Sequence, residues 1–159
     1  MATEQLFPLD DLDLSACAVS AEEVGKLNPQ AGDMRQIDHV IWMSDDCRRA
    51  VGVKQVRDDE FWVAGHIPGR PLLPGVMMIE AAAQLCSVQF WYPIETEEAA
   101  FLGFTRCDNV VFRGQVVPGN TLYIIAKQVR VSPRRIVSDA QGIVNGTIVF
   151  EARITGMRL

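Results

Sequence analysis

Two titratable side chains in the middle of the chain have the residue types and the spacing for acid–base chemistry. His66 lies in the proline- and glycine-rich stretch GHIPGRPLLPG, and Glu80 follows 14 residues later in the apolar stretch MMIEAAAQ. Imidazole can accept a proton near neutral pH. A carboxyl group among apolar side chains is held in its neutral form and can donate a proton. The pair therefore predicts a general base, His66, and a general acid, Glu80.

Two neighbouring residues are typical of a site that supports such a pair. Gln84 comes one helical turn after Glu80, on the same helix face, where it can hold the orientation of the carboxyl group. Gly75 opens the expected helix, where the backbone N–H groups and the positive end of the helix dipole favour an oxyanion. Because glycine has no side chain, a substrate can approach the backbone closely there. Gly75 is the candidate oxyanion residue and Gln84 the candidate orienting residue.

The element that must carry these residues is one long apolar helix, predicted from about Pro74 to Tyr92 and closed by Pro93. A short helix is predicted from Ser20-Ala21-Glu22-Glu23, which has the capping-box pattern, to about Leu27. The acidic N-terminal stretch LDDLDL is expected to be weakly structured. The segments QIDHVIWMS and RAVGVKQV predict two strands separated by a polar turn.

The last third of the chain is predicted to be all strand. Its five expected strands are AAFLGFTR, NVVFRGQV, NTLYIIAKQVRV, RIVSDAQGIV and TIVFEARITGM, preceded by an acidic loop at 95–98. Asn145-Gly146 is a strong signal for a tight hairpin turn. These strands are expected to form an antiparallel meander wrapped around the central helix, since that helix is apolar on nearly every face. The predicted class is α+β, with one domain over 1–159 and a short N-terminal extension over about 1–19.

The helix and the loop before it resemble a known family. Gly-His-x-Pro-Gly-x-Pro-x-x-Pro-Gly-Val followed by Glu-Ala-x-Ala-Gln is similar to the 3-hydroxyacyl-acyl-carrier-protein dehydratases of fatty-acid synthesis, in the branch that uses a glutamate. The resemblance continues through FRGQVVPGNTLYI, with Asn120 where an aspartate is usual, and covers roughly residues 20–157. It implies a hot-dog fold. One segment departs from the family pattern, since NPQAGDM at 28–34 replaces the usual Leu-Pro-His-Arg-x-Pro-Phe.

The chemistry that the resemblance implies agrees with the residues. Dehydration of a 3-hydroxyacyl thioester needs a base for the C2 proton, an acid for the departing hydroxyl, and donors for the charge on the thioester oxygen. His66, Glu80 and Gly75 supply these in turn, without a metal or a cofactor. Two alternatives stay open, a hot-dog thioesterase and a non-catalytic acyl-binding subunit.

The resemblance also implies the partners of the protein. The expected substrates are linked to acyl carrier protein or to coenzyme A. A homodimer at least is expected, with a trimer of dimers as a further alternative, and with His66 from one subunit and Glu80 from the other. Three arginines, Arg130, Arg134 and Arg135, are candidates for docking an acidic carrier protein.

Composition excludes several other classes. A net charge of −5 argues against general binding to nucleic acid or to an anionic membrane. The four cysteines form no CxxC pair, and with only His39 and His66 to join them they are interpreted as reduced packing thiols. The acidic N-terminus lacks the pattern of a signal peptide, and the apolar run from Val76 to Trp91 is too short and too polar for a membrane span. A cytoplasmic location is therefore expected.

Overall fold

The computed structural model describes residues 4–94 and 101–159, so the acidic loop at 95–98 and the first two residues of the strand predicted after it lie outside the described residues. Two α-helices, one 3₁₀ helix and six strands follow one another along the described chain. Their bounds are α1 Ala21–Leu27, the 3₁₀ helix Gly32–Met34, β1 His39–Met43, β2 Arg49–Gln55, α2 Gly75–Trp91, β3 Leu102–Phe112, β4 Thr121–Ser132, β5 Arg135–Val144 and β6 Thr147–Arg158.

Helix α2 is the centre of the fold. Its 17 residues contain no charged side chain except Glu80, and most of them are buried. At 1.5 Å per residue the helix is about 25 Å long. Its first and last residues lie within one position of the predicted Pro74 and Tyr92, because Pro74 and Pro93 mark its limits. Among the described residues, no helix is long and apolar enough to cross a membrane.

The six strands form one antiparallel sheet in the order β1-β2-β4-β5-β6-β3, which packs around α2. The predicted α+β class and hot-dog fold are thus confirmed. The prediction of a meander holds for β4, β5 and β6 but is wrong for β3, which pairs with β6 rather than with β4. β2 and β5 occupy both edges of β4, so β3 cannot pair with β4, and it pairs with the free edge of β6 instead.

Strand β3 also corrects the prediction of two strands, AAFLGFTR and NVVFRGQV. The segment forms one strand, Leu102–Phe112, and the pairing with β6 slips between Asp108 and Val111. Asn109 lies at this bulge with a φ of +53°, a left-handed conformation that asparagine adopts more easily than most residues. The polar Asp108-Asn109 pair therefore marks a bulge and not the break between two strands.

The N-terminal segment packs on the face of the sheet that points away from α2. Residues 4–16 contain no helix or strand, as expected, but they are anchored by apolar contacts and by hydrogen bonds between Gln141 and the backbone of Glu4 and Leu6. Phe7 is 7% exposed, and its ring centroid lies 5.8 Å from that of Trp42. The segment covers an apolar patch that includes Ile41, Val51, Val53, Ile125 and Ile143.

We expect the substitution Phe7→Ala to lower the free energy of unfolding by about 3 kcal/mol, because it removes a buried aromatic ring and leaves a cavity. Urea unfolding followed by circular dichroism measures the change. The matched control is Leu14→Ala on the same segment, where a side chain of a residue that is 40% exposed is removed and a change within about 0.5 kcal/mol is expected. Equal stabilities of the two variants would show that the segment does not hold the sheet face.

All four cysteines are free thiols. Cys86 on α2 is buried, and burial raises the pKa of its thiol to about 12. A thiol in that state is unreactive at neutral pH. Cys86 is therefore a packing residue of the core.

Candidate active site

His66 lies in the turn-rich loop between β2 and α2 and is half-buried. Its ring Nδ1 is 2.8 Å from the carbonyl oxygen of Leu72, and its backbone N–H donates to the carbonyl of Trp62 at 2.8 Å. Because a carbonyl oxygen only accepts, Nδ1 must carry the proton of the neutral ring. The lone pair is then on Nε2, which is the state a general base requires.

A pocket of about 300 Å³ joins His66 to the first turn of α2. Gly75, Val76 and Met78 line it from the helix, and Phe112 lines it from β3. A Cβ atom at Gly75 would lie 2.7 Å from the Phe112 ring, so the packing has no room for a side chain there. Pro74 supplies no side-chain cap to the helix. The N–H of Met77 donates to the Pro74 carbonyl at 2.9 Å, whereas the N–H groups of Gly75 and Val76 precede the first intrahelical hydrogen bonds and are suited to stabilise an anion.

Glu80 and Gln84 form a second group one turn further along α2. Glu80 is half-buried, and its Oε1 accepts a hydrogen bond from Nε2 of Gln84 at 2.7 Å. Gln84 is 1% exposed, and its amide is fixed because Oε1 accepts from the backbone N–H of Gln36 while Nε2 also donates to the carbonyl of Met34. The amide has one possible orientation, which presents an N–H to Glu80.

Within one protomer, the pocket that contains His66 does not include the second group. Neither Glu80 nor Gln84 is among the described residues that line the His66 pocket. Glu80 follows Val76 by one helical turn on the same stripe of α2, and Val76 is 66% exposed. The stripe is therefore exposed at Val76, beside the His66 pocket, and half-buried at Glu80.

Sequence reasoning missed the contacts that the 28–34 segment makes with this group. The Asn28 side-chain amide donates to the backbone carbonyl of Gln84 at 3.0 Å, and Met34 at the end of the 3₁₀ helix accepts from the Gln84 side chain. Met34 takes part through a backbone atom, so no residue type in the sequence signals its contact. The segment that departs from the family pattern is thus bound directly to Gln84, the candidate orienting residue.

Sequence reasoning also missed the backbone conformation next to His66. Ile67 has a φ of +66°, which is rare for a β-branched residue and costs about 1–3 kcal/mol. Such a conformation persists only where the surrounding contacts determine it, and here the Ile67 carbonyl accepts from the Arg70 N–H at 3.0 Å. The loop that carries His66 is therefore held in a strained shape.

The three candidate docking arginines lie far from His66 in the protomer. Arg130 is near the end of β4, and Arg134 and Arg135 are at the turn into β5. The opposite end of β4 pairs with the end of β2 that leads to the His66 loop. The length of β4 thus separates the arginines from the pocket.

Together these features define a hot-dog protein with a candidate acid–base site at the N-terminus of its central helix. In comparison with solved structures, the chain is similar to the dehydratase heterocomplex ApeI:P of Xenorhabdus doucetiae, with a TM-score of 0.71 and 20% identity over 86% of this chain and 90% of that one. It is also similar to a thioesterase of Pseudomonas aeruginosa, with a TM-score of 0.66 and 16% identity over 92% and 99% of the two chains. At such identities the likeness is one of fold.

Comparison of sequences identifies the family as well as the fold. The FabA-like domain family matches residues 28–153. The 3-hydroxyacyl-[acyl-carrier-protein] dehydratase FabZ of Clostridium acetobutylicum is 35% identical over 141 residues, which cover 88% of this chain and 98% of the relative. The chain belongs to the FabA-like dehydratase family. The family and the enzyme class predicted from the His66–Glu80 motif, a hydro-lyase, are confirmed.

Proposed function

We propose that this protein removes water from 3-hydroxyacyl thioesters to give trans-2-enoyl thioesters in the synthesis of acyl chains. The observation that carries the proposal is the contact between Nδ1 of His66 and the Leu72 carbonyl, which leaves Nε2 unprotonated in a pocket at the N-terminus of α2. The FabZ relatives are named as acting on substrates linked to acyl carrier protein, and we propose such substrates here, with coenzyme A thioesters as the alternative.

His66 begins the reaction by accepting the C2 proton at Nε2. The electrons of the C2–H bond move toward the thioester carbonyl, and the N–H groups at the start of α2, next to Gly75, stabilise the negative charge on its oxygen. Glu80, in its protonated form, donates its proton to the C3 hydroxyl group. The C3–O bond breaks, water leaves and the C2=C3 double bond forms, so that His66 ends protonated and Glu80 ionised until solvent restores both.

Gln84 and Gly75 have supporting roles in this proposal. The fixed Gln84 amide donates to one carboxyl oxygen of Glu80 and so directs the other oxygen, which carries the proton, toward the substrate. Gly75 keeps the helix terminus open, because a side chain there would collide with Phe112. The pocket is lined mostly by apolar groups, which strengthens the interaction between the helix N–H groups and the charge on the thioester oxygen.

A complete site requires a second subunit, and β3 is the strand that we propose pairs with it. β3 lies at the edge of the sheet, has 11 residues and exposes Phe104 and Phe112 by 47% and 49%. A long edge strand with exposed apolar side chains is a template for strand pairing, and in β3 the Arg106–Asp108 ion pair and the bulge at Asn109 protect only the middle of the strand. The other edge strand, β1, has five residues and bridges to Val19.

Pairing of two β3 strands about a two-fold axis would place the α2 helices of the two subunits side by side. The exposed Val76 and the half-buried Glu80 of α2 would then face the partner. We propose that the partner's Glu80 acts with His66 of this protomer, so that each dimer has two equivalent sites. A homodimer is the smallest assembly that completes the site, and a trimer of such dimers is compatible with it. We also propose a cytoplasmic location, where carrier-linked acyl chains are extended.

The test is to incubate the purified protein with a 3-hydroxyacyl thioester while recording the absorbance of the conjugated enoyl thioester and the release of free thiol. Dehydration raises the enoyl absorbance and releases no thiol. Release of thiol without enoyl product would identify a thioesterase instead. Neither signal, with both carrier protein and coenzyme A substrates, would identify a non-catalytic acyl-binding subunit.

A further inference from the structure

A buried ion pair lies beneath the His66 loop, outside the proposed acid–base pair. Lys54 is near the end of β2 and Glu60 is in the loop that follows, and their side chains are only 3% and 5% exposed. Nζ of Lys54 is 2.8 Å from Oε2 of Glu60. Burial of two charges is expensive, and such pairs stabilise a fold no better than well-packed apolar residues do. Its presence in this place calls for a role other than stability.

The Glu60 carboxylate accepts three hydrogen bonds. Lys54 Nζ and the Trp62 indole Nε1 both donate to Oε2, at 2.8 and 3.0 Å, and the backbone N–H of Arg57 donates to Oε1 at 2.9 Å. Burial by itself raises the pKa of Glu60, but these donors together outweigh it and the pKa lies below its ordinary value. Glu60 is therefore ionised at neutral pH and ties the loop to β2.

Trp62 connects this carboxylate to His66. Its ring is 3% exposed and packs in the core that surrounds α2. Its carbonyl oxygen accepts from the backbone N–H groups of both Gly65 and His66, at 3.2 and 2.8 Å. Hydrogen bonds thus link Lys54 to Glu60 and Glu60 to the Trp62 indole, and the backbone of the same tryptophan binds the N–H of His66, next to the strained residue Ile67.

We propose that Lys54, Glu60 and Trp62 form a positioning network that fixes the His66 imidazole in the orientation needed to take the C2 proton. The proposal rests on the role of His66 as the base. The three residues act through His66 and contact no substrate themselves. A displacement of about 1 Å at a reacting group can lower a rate by about 100-fold, so a network that fixes the loop acts on the chemical step rather than on binding.

The decisive variant is Trp62→Phe, which keeps an aromatic ring and the carbonyl that holds His66 but removes the indole N–H to Glu60. We expect kcat to fall by about 10-fold while KM stays within about 2-fold, because the ground-state complex forms normally and the base is misplaced. The matched control is Trp91→Phe. Trp91 is also 3% exposed, and its buried Nε1 has no hydrogen-bond partner among the described residues.

Both variants are measured with the shortest 3-hydroxyacyl thioester that the protein dehydrates, and again in a His66→Ala background. If Trp62 acts through His66, Trp62→Phe causes no further loss of kcat once the imidazole is absent. Equal kcat values for Trp62→Phe and Trp91→Phe would overturn the proposal. So would an equal loss in both backgrounds, since that identifies a general effect on the fold.

A second variant keeps the test valid if Trp62→Phe fails to fold. Lys54→Met combined with Glu60→Leu removes both charges together, so no buried charge is left unpaired. We expect this protein to fold and to show the same 10-fold loss of kcat, and wild-type kcat would overturn the proposal. If His66→Ala alone keeps wild-type turnover, His66 is not the base, and its positioning by the network is then also ruled out. Loss of turnover in His66→Ala without any loss in the network variants overturns the network alone.

Discussion

The His66→Ala and Glu80→Gln variants are each expected to lower the turnover of a 3-hydroxyacyl thioester by about 100-fold or more, the usual effect of losing a general acid or base. Each substitution removes one proton-transfer group and leaves the backbone intact. Initial rates of enoyl formation measure the loss, and circular dichroism verifies the fold. His39→Ala is the control, because His39 is the chain's other histidine and lies at the start of β1, away from the pocket.

Each of these two expected losses of turnover has an outcome that would contradict it. A folded His66→Ala or Glu80→Gln protein with near-normal turnover would remove that residue from the mechanism. The mechanism needs one group that accepts a proton and one that donates a proton, so the rate is expected to pass through a maximum as the pH is varied. A flat profile between about pH 5 and 9, with the chemical step rate-limiting, contradicts the assignment.

Mixing the two inactive variants is expected to restore activity to about a quarter of the wild-type level. After subunit exchange about half of the dimers contain one His66→Ala chain and one Glu80→Gln chain. In each mixed dimer one of the two sites combines an intact His66 with the partner's intact Glu80, and the other site lacks both. The separate variants have no such site, so the recovery reports directly on residues shared across the interface.

The control exchanges wild-type protein with the double variant His66→Ala/Glu80→Gln. If the site is shared, a mixed dimer has no intact pair, and the activity of an equal mixture falls from about a half to about a quarter of the pure wild-type value. If each protomer contains its own pair, exchange leaves the mixture at about a half. No recovery in the first mixture and no fall in the second, with exchange proven by mass labelling, would place both residues within one protomer.

The sequence allowed a close prediction of the elements whose signals are local. Pro74 and Pro93 limit α2, Ser20 and Glu23 form the capping box of α1, and Asn145-Gly146 forms the tight turn between β5 and β6 with both residues at positive φ. Each of these signals acts within a few residues, where steric limits and hydrogen bonds decide the conformation. The spacing of His66 and Glu80 could be recognised for the same reason, because both residues belong to one continuous sequence motif.

The features that sequence reasoning missed depend on contacts between distant segments. The pairing of β3 with β6 joins segments that are separated in the chain by β4 and β5, so no local pattern predicts it. The contact of Met34 with Gln84 uses a backbone carbonyl, and the Lys54–Glu60 pair looks in the sequence like two ordinary surface charges. These contacts are not weak. They could not be predicted from local sequence patterns because the residues that form them come from different segments of the chain or use backbone atoms.

The pairing of β3 with β6 also has a consequence for how the chain folds as it is synthesised. β4 and β5 must be made before β6 leaves the ribosome, and until then β3 has no partner strand within the chain. The emerging polypeptide therefore displays Phe104 and Phe112 on a strand with two open edges throughout that interval. Such a segment is prone to wrong strand pairing with neighbouring chains until β6 becomes available.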